Sequence, residues 1–260
     1  NVFQDYAAFS DNLTRGGPVA ASPFRWGGNL RINTNRSKNT SGNLRLSGST
    51  NELDGWNFTI SGGITARPGG QWRINLDPRY SRSKDMRQYI TTLDEGPDAT
   101  FGKRYIFGAI DRSTISLQTR INYSLTPDLS IELYAEPFVS TGNFNNFGQL
   151  PQPRALELQR FGRDGVTSIS KTEEGYRVIE GNDSFTFRTS DFNILSFRSN
   201  LVMRWEWRPG STLFLVWSQD RSERMRDGSL ASPGDLFDSI TSSGLNNFAF
   251  KLTYWLPVNI

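Results

Sequence analysis

The feature that most constrains this chain is an alternation of apolar and polar residues with period two, recurring from one end to the other. Leu195, Phe197, Leu201, Met203, Trp205 and Trp207 hold odd positions, against Ser196, Arg198, Asn200, Arg204, Glu206 and Arg208 at even ones. Successive side chains of a strand point to opposite faces, so this segment reads as a strand with one greasy face and one charged face. The pattern returns in Ile115, Leu117, Ile121 and Tyr123, in Leu129, Ile131 and Leu133, and in Phe248, Phe250, Leu252 and Tyr254. Earlier it is carried by Leu30 and Ile32, Leu44 and Leu46, Trp56, Phe58 and Ile60, and Trp72, Ile74 and Leu76. Helical periodicity is nearly absent. The clearest predicted strands are 24–34, 40–50, 54–66, 71–92, 101–123, 128–141, 191–208, 211–222 and 246–256.

The connections sort into two kinds. Short turns fall at Arg67-Pro68-Gly69-Gly70, Thr126-Pro127-Asp128 and Arg208-Pro209-Gly210-Ser211, with a polar turn near residues 35–41. Long polar stretches lie between them, 142–190 the largest and 222–244 the next, with an acidic tip at 93–100. Long and short connections alternate, as in an outer-membrane barrel with short periplasmic turns and long external loops. A large soluble sandwich would also alternate along its strands, but nothing in it sorts loop length by side.

Composition fits the two-faced strand. The 260 residues are 36% hydrophobic, with a mean hydropathy of -0.52, which is poor for a soluble core of this size, yet 13% are aromatic. A barrel has no such core to fill. The longest apolar run, Leu213 to Trp217, is far short of the roughly 20 residues a membrane helix needs. Strands of about ten residues do cross at barrel tilt. The opening Asn1-Val2-Phe3-Gln4-Asp5-Tyr6 has neither the basic region nor the apolar core of a signal peptide.

Placing the short turns at one end brings Trp72, Tyr123, Trp205, Trp207 and Tyr254 to a common height, the level of an aromatic girdle. A second group, Trp26, Trp56, Phe107, Phe197, Trp217 and Phe248, falls toward the long-loop end. The opposite strand face presents Arg73, Arg104, Arg120, Arg198, Arg204 and Lys251 with Glu132 and Glu206, and also Arg25, Arg31, Arg45, Arg79 and Arg112. Such a face lines a wet lumen or is filled by ion-pair ladders. Folding about Pro127 puts Arg120 nearly opposite Glu132.

No histidine and no cysteine are present, which removes imidazole bases, thiolate nucleophiles, disulfides and His- or Cys-ligated metals. No cofactor or metal is expected. Glu132 and Glu136 share a face but stand about 13 Å apart along a strand, too far for a glycosidase pair. The net charge of +3 is spread along the chain and gives no case for nucleic acid. Phe144, Phe147, Phe161 and Tyr176 in the long loop either offer stacking platforms to a glycan or pack the loop over the barrel mouth.

The run from Asp191 to Trp217, centred on Arg208-Pro209-Gly210-Ser211, resembles the C-terminal part of a bacterial family of unknown function. Similar too are Phe101-Gly102-Lys103-Arg104-Tyr105-Ile106-Phe107, Leu133-Tyr134-Ala135-Glu136-Pro137-Phe138 and Lys251-Leu252-Thr253-Tyr254-Trp255, so that the likeness covers most of 15–256. Glu136 and Trp207 depart from it, standing where Gln and Tyr are more usual, and the chain ends Leu256-Pro257-Val258-Asn259-Ile260 rather than on an aromatic. Full-length members carry an N-terminal domain similar to family-9 carbohydrate-binding modules ahead of a long β-rich region. The resemblance implies an integral outer-membrane barrel and supplies no catalytic residue.

The expectation is therefore an all-β, antiparallel, porin-like transmembrane β-barrel of the outer-membrane type, or the C-terminal part of a larger one, in a single region over 1–260. Its function would be non-enzymatic, as a pore or as the anchor of a surface assembly, in contact with lipid, lipopolysaccharide and other envelope proteins. The alternative is carbohydrate handling in the cell envelope, with glycan held by the outer loops or by the N-terminal domain.

Overall fold

The computed structural model describes residues 1–35, 38–189, 191–226 and 228–256. Ser190, part of the polar turn after Asn35, and the chain end from Pro257 lie outside the described residues. The strands are β1 (Val2–Asp5), β2 (Ala8–Ser10), β3 (Ala20–Ser22), β4 (Arg25–Asn33), β5 (Thr40–Asn51), β6 (Trp56–Ala66), β7 (Trp72–Asp94), β8 (Lys103–Thr126) and β9 (Leu129–Gln149). There follow β10 (Gln159–Arg160), β11 (Thr167–Thr172), β12 (Gly175–Glu180), β13 (Asp183–Phe187), β14 (Phe192–Arg208), β15 (Ser211–Met225), the helix α1 (Pro233–Thr241) and β16 (Gly244–Thr253).

Strands β4 to β9 and β14 to β16 form one antiparallel meander, each paired with its neighbour in that order. β1 adds to the free edge of β4, and β10 adds to the top of β9, making an eleven-stranded sheet among the described residues. Among the described residues the sheet does not close into the expected barrel, since β1 and β16 do not pair, which leaves standing the other expectation, part of a larger barrel. Four residues of β1 cover only the upper part of β4, from Val2 opposite Gly28 to Asp5 opposite Arg25. The lower part of that edge and the whole of β16 carry ladder groups that no described strand meets.

Register follows from the alternation, since a slip by one residue would turn every apolar side chain of a strand to the polar face. At mid-height Leu30 faces Leu46, Leu46 faces Ile60 and Ile60 faces Tyr80. The row continues from Tyr80 through Ile115 and Val139 to Leu195. Two short turns use Pro followed by glycine at positive φ, Gly69 at 74° and Gly210 at 78°, a conformation that a side chain would strain.

Above this sheet the chain departs from the expected loops. The segment 142–190 is not one polar loop. β9 runs to Gln149, and 167–187 fold into a separate three-stranded sheet, β11-β12-β13. The protruding tops of β7, β8 and β9, together with β2 and β3, complete a cap with two apolar clusters. One joins Ala20, Tyr105, Phe107, Leu150 and Leu158. The other joins Ile106, Phe147, Phe161, Val178 and Phe187. Phe107, expected on the lipid-level face of its strand, is fully buried in the first cluster.

The second expected loop, 222–244, contains α1. Ser232 accepts the Asp235 amide while the Asp235 carboxylate accepts the Ser232 amide, a reciprocal cap, and Pro233 takes the first helical turn, where its missing N–H costs nothing. The segment folds back on the apolar side of the sheet: the Ala231 amide donates to Ser113 Oγ at 2.8 Å, and Arg221 donates to the Ser242 carbonyl. Ser113 shares a face with Ile115, and Arg221 sits opposite Phe197. α1 therefore roofs the upper rim of the apolar face across β8, β9, β14 and β15.

Candidate functional site

The feature with functional content is the contrast between the two faces of the meander. One face carries apolar rows at the short-turn end, interrupted above them on β14 to β16 by Ser199, Gln219 and Asn246. One row runs Ile74, Ile121, Leu133, Leu201, Trp217, Phe248 from β7 to β16, and the rows below it repeat the character, while the row above reads Leu76, Thr119, Ala135, Ser199, Gln219, Asn246. On β15 this face has an unbroken apolar run only from Leu213 to Trp217 and on β16 only from Phe248 to Leu252, whereas between their lowest and highest apolar residues β7 spends nine residues, Trp72 to Tyr80, and β14 eleven, Leu195 to Trp205. At barrel tilt that length spans about 25 Å, the height of a lipid-facing band. An apolar groove of about 490 Å³ lies on it, lined by Ile131, Leu201, Met203, Leu215, Trp217 and Phe250 among others.

All five residues expected in the girdle lie at the short-turn end. Trp72 and Tyr123 are register partners whose rings stack at 3.9 Å between centroids. Trp205 and Trp207 meet edge to face at 6.2 Å, across a register shift at the end of β14. Tyr254 follows β16, and its hydroxyl accepts a hydrogen bond from Arg208 at 3.2 Å. In mid-strand Trp217 stacks on its register partner Phe248 at 5.7 Å.

The other face is polar. Arg73 stands opposite Asn122, Arg204 opposite Phe214 and Ser130, and Lys251 opposite Phe214. Arg198 lies between Glu136 and Asp220 and reaches the Asp220 carboxylate at 3.8 Å, while Arg204 bonds Glu206 at 2.9 Å. The hairpin does not bring Arg120 opposite Glu132. The register pairs Arg120 with Tyr134, two residues beyond Glu132, so its guanidinium sits over the Tyr134 ring at 5.5 Å and Glu132 faces Asn122 and Val202. At the long-loop end a polar cleft of about 290 Å³ is lined by Arg25, Ser49, Asn57, Ser83, Asp85 and Arg112, with Trp56 at its edge.

Arg104 is not on this wet face. It is buried in the cap, bonded to Glu180 at 2.7 Å, Gln149 at 2.8 Å and the Glu95 carbonyl at 3.1 Å, with its guanidinium over the Phe185 ring. Charge that leaves water needs this full set of partners. The four rings of the long loop are in the same cap. Phe147 and Phe161 are buried, Phe147 meets Tyr176 at 4.4 Å, and Phe144 packs against that cluster. The structure thus places them in packing, Phe147 and Phe161 buried and Phe144 and Tyr176 partly buried, with Phe147, Phe161 and Tyr176 along the wall of a cleft of about 470 Å³.

Several structural groups carried little signal in the alternation. Asp191 accepts the Phe144 amide at 2.7 Å and the Asn143 side chain at 3.2 Å, closing the base of the cap. Asp164 accepts the Val166 and Thr167 amides, the Thr167 hydroxyl and the Gln159 side chain. Burial by itself would raise its carboxyl, but these hydrogen bonds outweigh it and hold the pKa below the usual value. Arg163-Asp164-Gly165 is turn chemistry, so this staple had a local signature. Burial pushes the Arg160 guanidinium down, and it bonds the Asn146 and Met86 carbonyls. Among the described residues no cluster of acidic or metal-ligating side chains could hold a metal ion, and no helix is long and apolar enough to cross a membrane.

Fold and faces define a class: an antiparallel meander sheet with one apolar and one polar face, topped by a small β-rich cap. The chain belongs to the family described as a domain of unknown function, DUF5916, whose model matches residues 5–260. Comparison with curated proteins gives no match.

Proposed function

We propose that this chain forms wall and outer cap of a transmembrane β-barrel in the bacterial outer membrane, non-enzymatic, acting as a pore or as the anchor of a surface assembly. The observation that carries this reading is the apolar row in register from Ile74 to Phe248 with the apolar rows below it, aromatics at the short-turn rim, and on β7 and β14 an apolar stretch of the height a bilayer core requires. Exposed Trp26, Leu30, Ile64, Leu215, Phe248, Phe250 and Leu252 make an apolar surface far larger than a soluble monomer leaves to water. In lipid the same residues meet their proper solvent, with lipopolysaccharide and other envelope proteins at the outer rim.

The bare edges at β1 and β16 call for further strand pairing, since an open sheet edge is not tolerated in hydrocarbon. Carbohydrate handling, through outer loops or through a domain similar to family-9 carbohydrate-binding modules, draws little support from the cap, where Phe147 and Phe161 are buried and Phe144 and Tyr176 pack against them. The test is fractionation of the natural full-length protein. The barrel reading requires recovery with outer membrane and heat-modifiable migration on gels; recovery in the soluble fraction without heat modification overturns it.

A further inference from the structure

The polar face is not evenly charged. On β14 and β15 Arg198 is answered by Asp220 and Arg204 by Glu206, while on β9 Glu136 accepts the Tyr134 hydroxyl and on β16 Lys251 stands without an ion pair among the described residues. On β4 to β8 the same face carries Arg31, Arg45, Arg73, Arg79, Arg112 and Arg120 against Asp77 and Asp85. None of those six guanidiniums makes an ion pair among the described residues.

The charge is densest in one row. Arg31 is the direct register partner of Arg45, Arg45 of Ser61, and Ser61 of Arg79. With strands about 4.8 Å apart, three guanidinium side chains arise from backbone positions within about 15 Å. Like charges directly opposite each other destabilise a sheet, and arginine cannot escape by losing its proton. Residues two positions away on the same face are neutral at Asn29, Asn33, Asn43, Ser47 and Ser81, with Asp77, two positions from Arg79, the one carboxylate. Arg31 gives its Nε–H to Asn33 at 3.2 Å, which leaves the two terminal nitrogens of its fork for another partner.

We infer that the row Arg31, Arg45, Arg79 is a binding site for a phosphate-type oxyanion carried by a solute at the polar face. Guanidinium forks match the paired oxygens of such a group, and a tetrahedral anion seated between Arg31 and Arg45 removes the repulsion that the register imposes. The inference rests on the pore reading for its meaning, since that reading makes the polar face a lumen. Binding itself is independent of it.

The experiment is calorimetric titration of the full chain, folded in detergent micelles, with inorganic phosphate and pyrophosphate at constant ionic strength. The expected result is saturable binding, tighter for pyrophosphate, weakened tenfold or more by Arg45→Gln and by Arg31→Gln and unchanged by Arg198→Gln, whose arginine already has a carboxylate. Arg79→Lys keeps the charge and loses the fork, so it weakens binding even where a charge-removing variant fails to fold. No saturable binding, or equal weakening by Arg198→Gln, overturns the site. Displacement of phosphate by added lipopolysaccharide overturns the assignment to a solute. A chain that binds phosphate but lacks heat-modifiable migration keeps the site and loses the pore.

Discussion

Arg104 on β8 and Glu180 on β12 are joined at 2.7 Å inside the cap, the charged link between the long meander and the three-stranded sheet above it. Both side chains are largely withdrawn from water. Removing one partner of such a pair strands the other charge, whereas replacing both by apolar groups of similar size is often neutral. Glu180→Gln or Arg104→Met should therefore destabilise the cap by about 3 kcal/mol, with the double variant Arg104→Met/Glu180→Met recovering most of it. Hydrogen exchange of peptides from 167–187 measures this; equal protection in all variants would show that the link contributes nothing.

Acid should loosen the same cap at a different point. The Asp164 carboxyl is held below its ordinary pKa in the folded chain, so it binds protons more readily when unfolded. Its stabilising contribution is complete above the ordinary carboxylate value of about 4 and is lost as the pH falls through the folded value. Exchange of the Val166 and Thr167 amides, corrected for intrinsic rates, should accelerate below about pH 4 in the native chain. In Asp164→Asn that acid-dependent step should disappear.

The two faces should respond oppositely to charge. Leu201 lies in the middle of the apolar band opposite Leu133 and Trp217, and its neighbour Asn200 lies on the polar face opposite Tyr134 and Ser218. In lipid vesicles Leu201→Arg should cost about 2–4 kcal/mol of folding free energy, while Asn200→Arg should cost little. Denaturant titration in vesicles reads the difference, and equal costs contradict the assignment of faces.

The helix α1 marks the upper edge of that band. Phe237 is 71% exposed although it sits on a helix docked to the apolar face, and Ile240, one turn on, is exposed beside it. Both rest where the bilayer interface should lie, and the chain contains no cysteine, so a single label is unambiguous. A spin label at Phe237→Cys in vesicles should be more accessible to oxygen than to a polar nickel complex, with the reverse at Asp238→Cys. Water-like accessibility at both positions would place α1 clear of the membrane.

The strands were legible where a single parity runs unbroken. β14 was expected over 191–208 and forms over Phe192–Arg208; β6 was expected over 54–66 and forms over Trp56–Ala66. Legibility ended where bulges reset the parity. Phe144 and Phe147 are three apart, with Asn146 at φ 49° between them, so the top of β9 reads as loop although it is strand. Register shifts on β7 between Asp85 and Gln88 and on β8 between Phe107 and Ala109 carry Arg104 and Phe107 into the cap, away from the faces that counting by twos assigns them. α1 had a local signature in Ser232-Pro233-Gly234-Asp235, but nine residues of helix amid polar sequence leave no periodicity to see.

Period-two chemistry by itself determined that this chain is an antiparallel sheet with one largely apolar face and one polar face, because successive side chains of a strand point to opposite sides. It determined the short turns as well, since Pro followed by Gly specifies its own backbone geometry. Pairing across strands is long-range information, and only the tertiary structure decided it. That pairing sets Arg31 against Arg45, takes Arg104 out of the polar face, gathers the loop phenylalanines into a core, and leaves β1 and β16 as open edges. A side chain's parity is local, but its partner is chosen by register, and register depends on every bulge between the two.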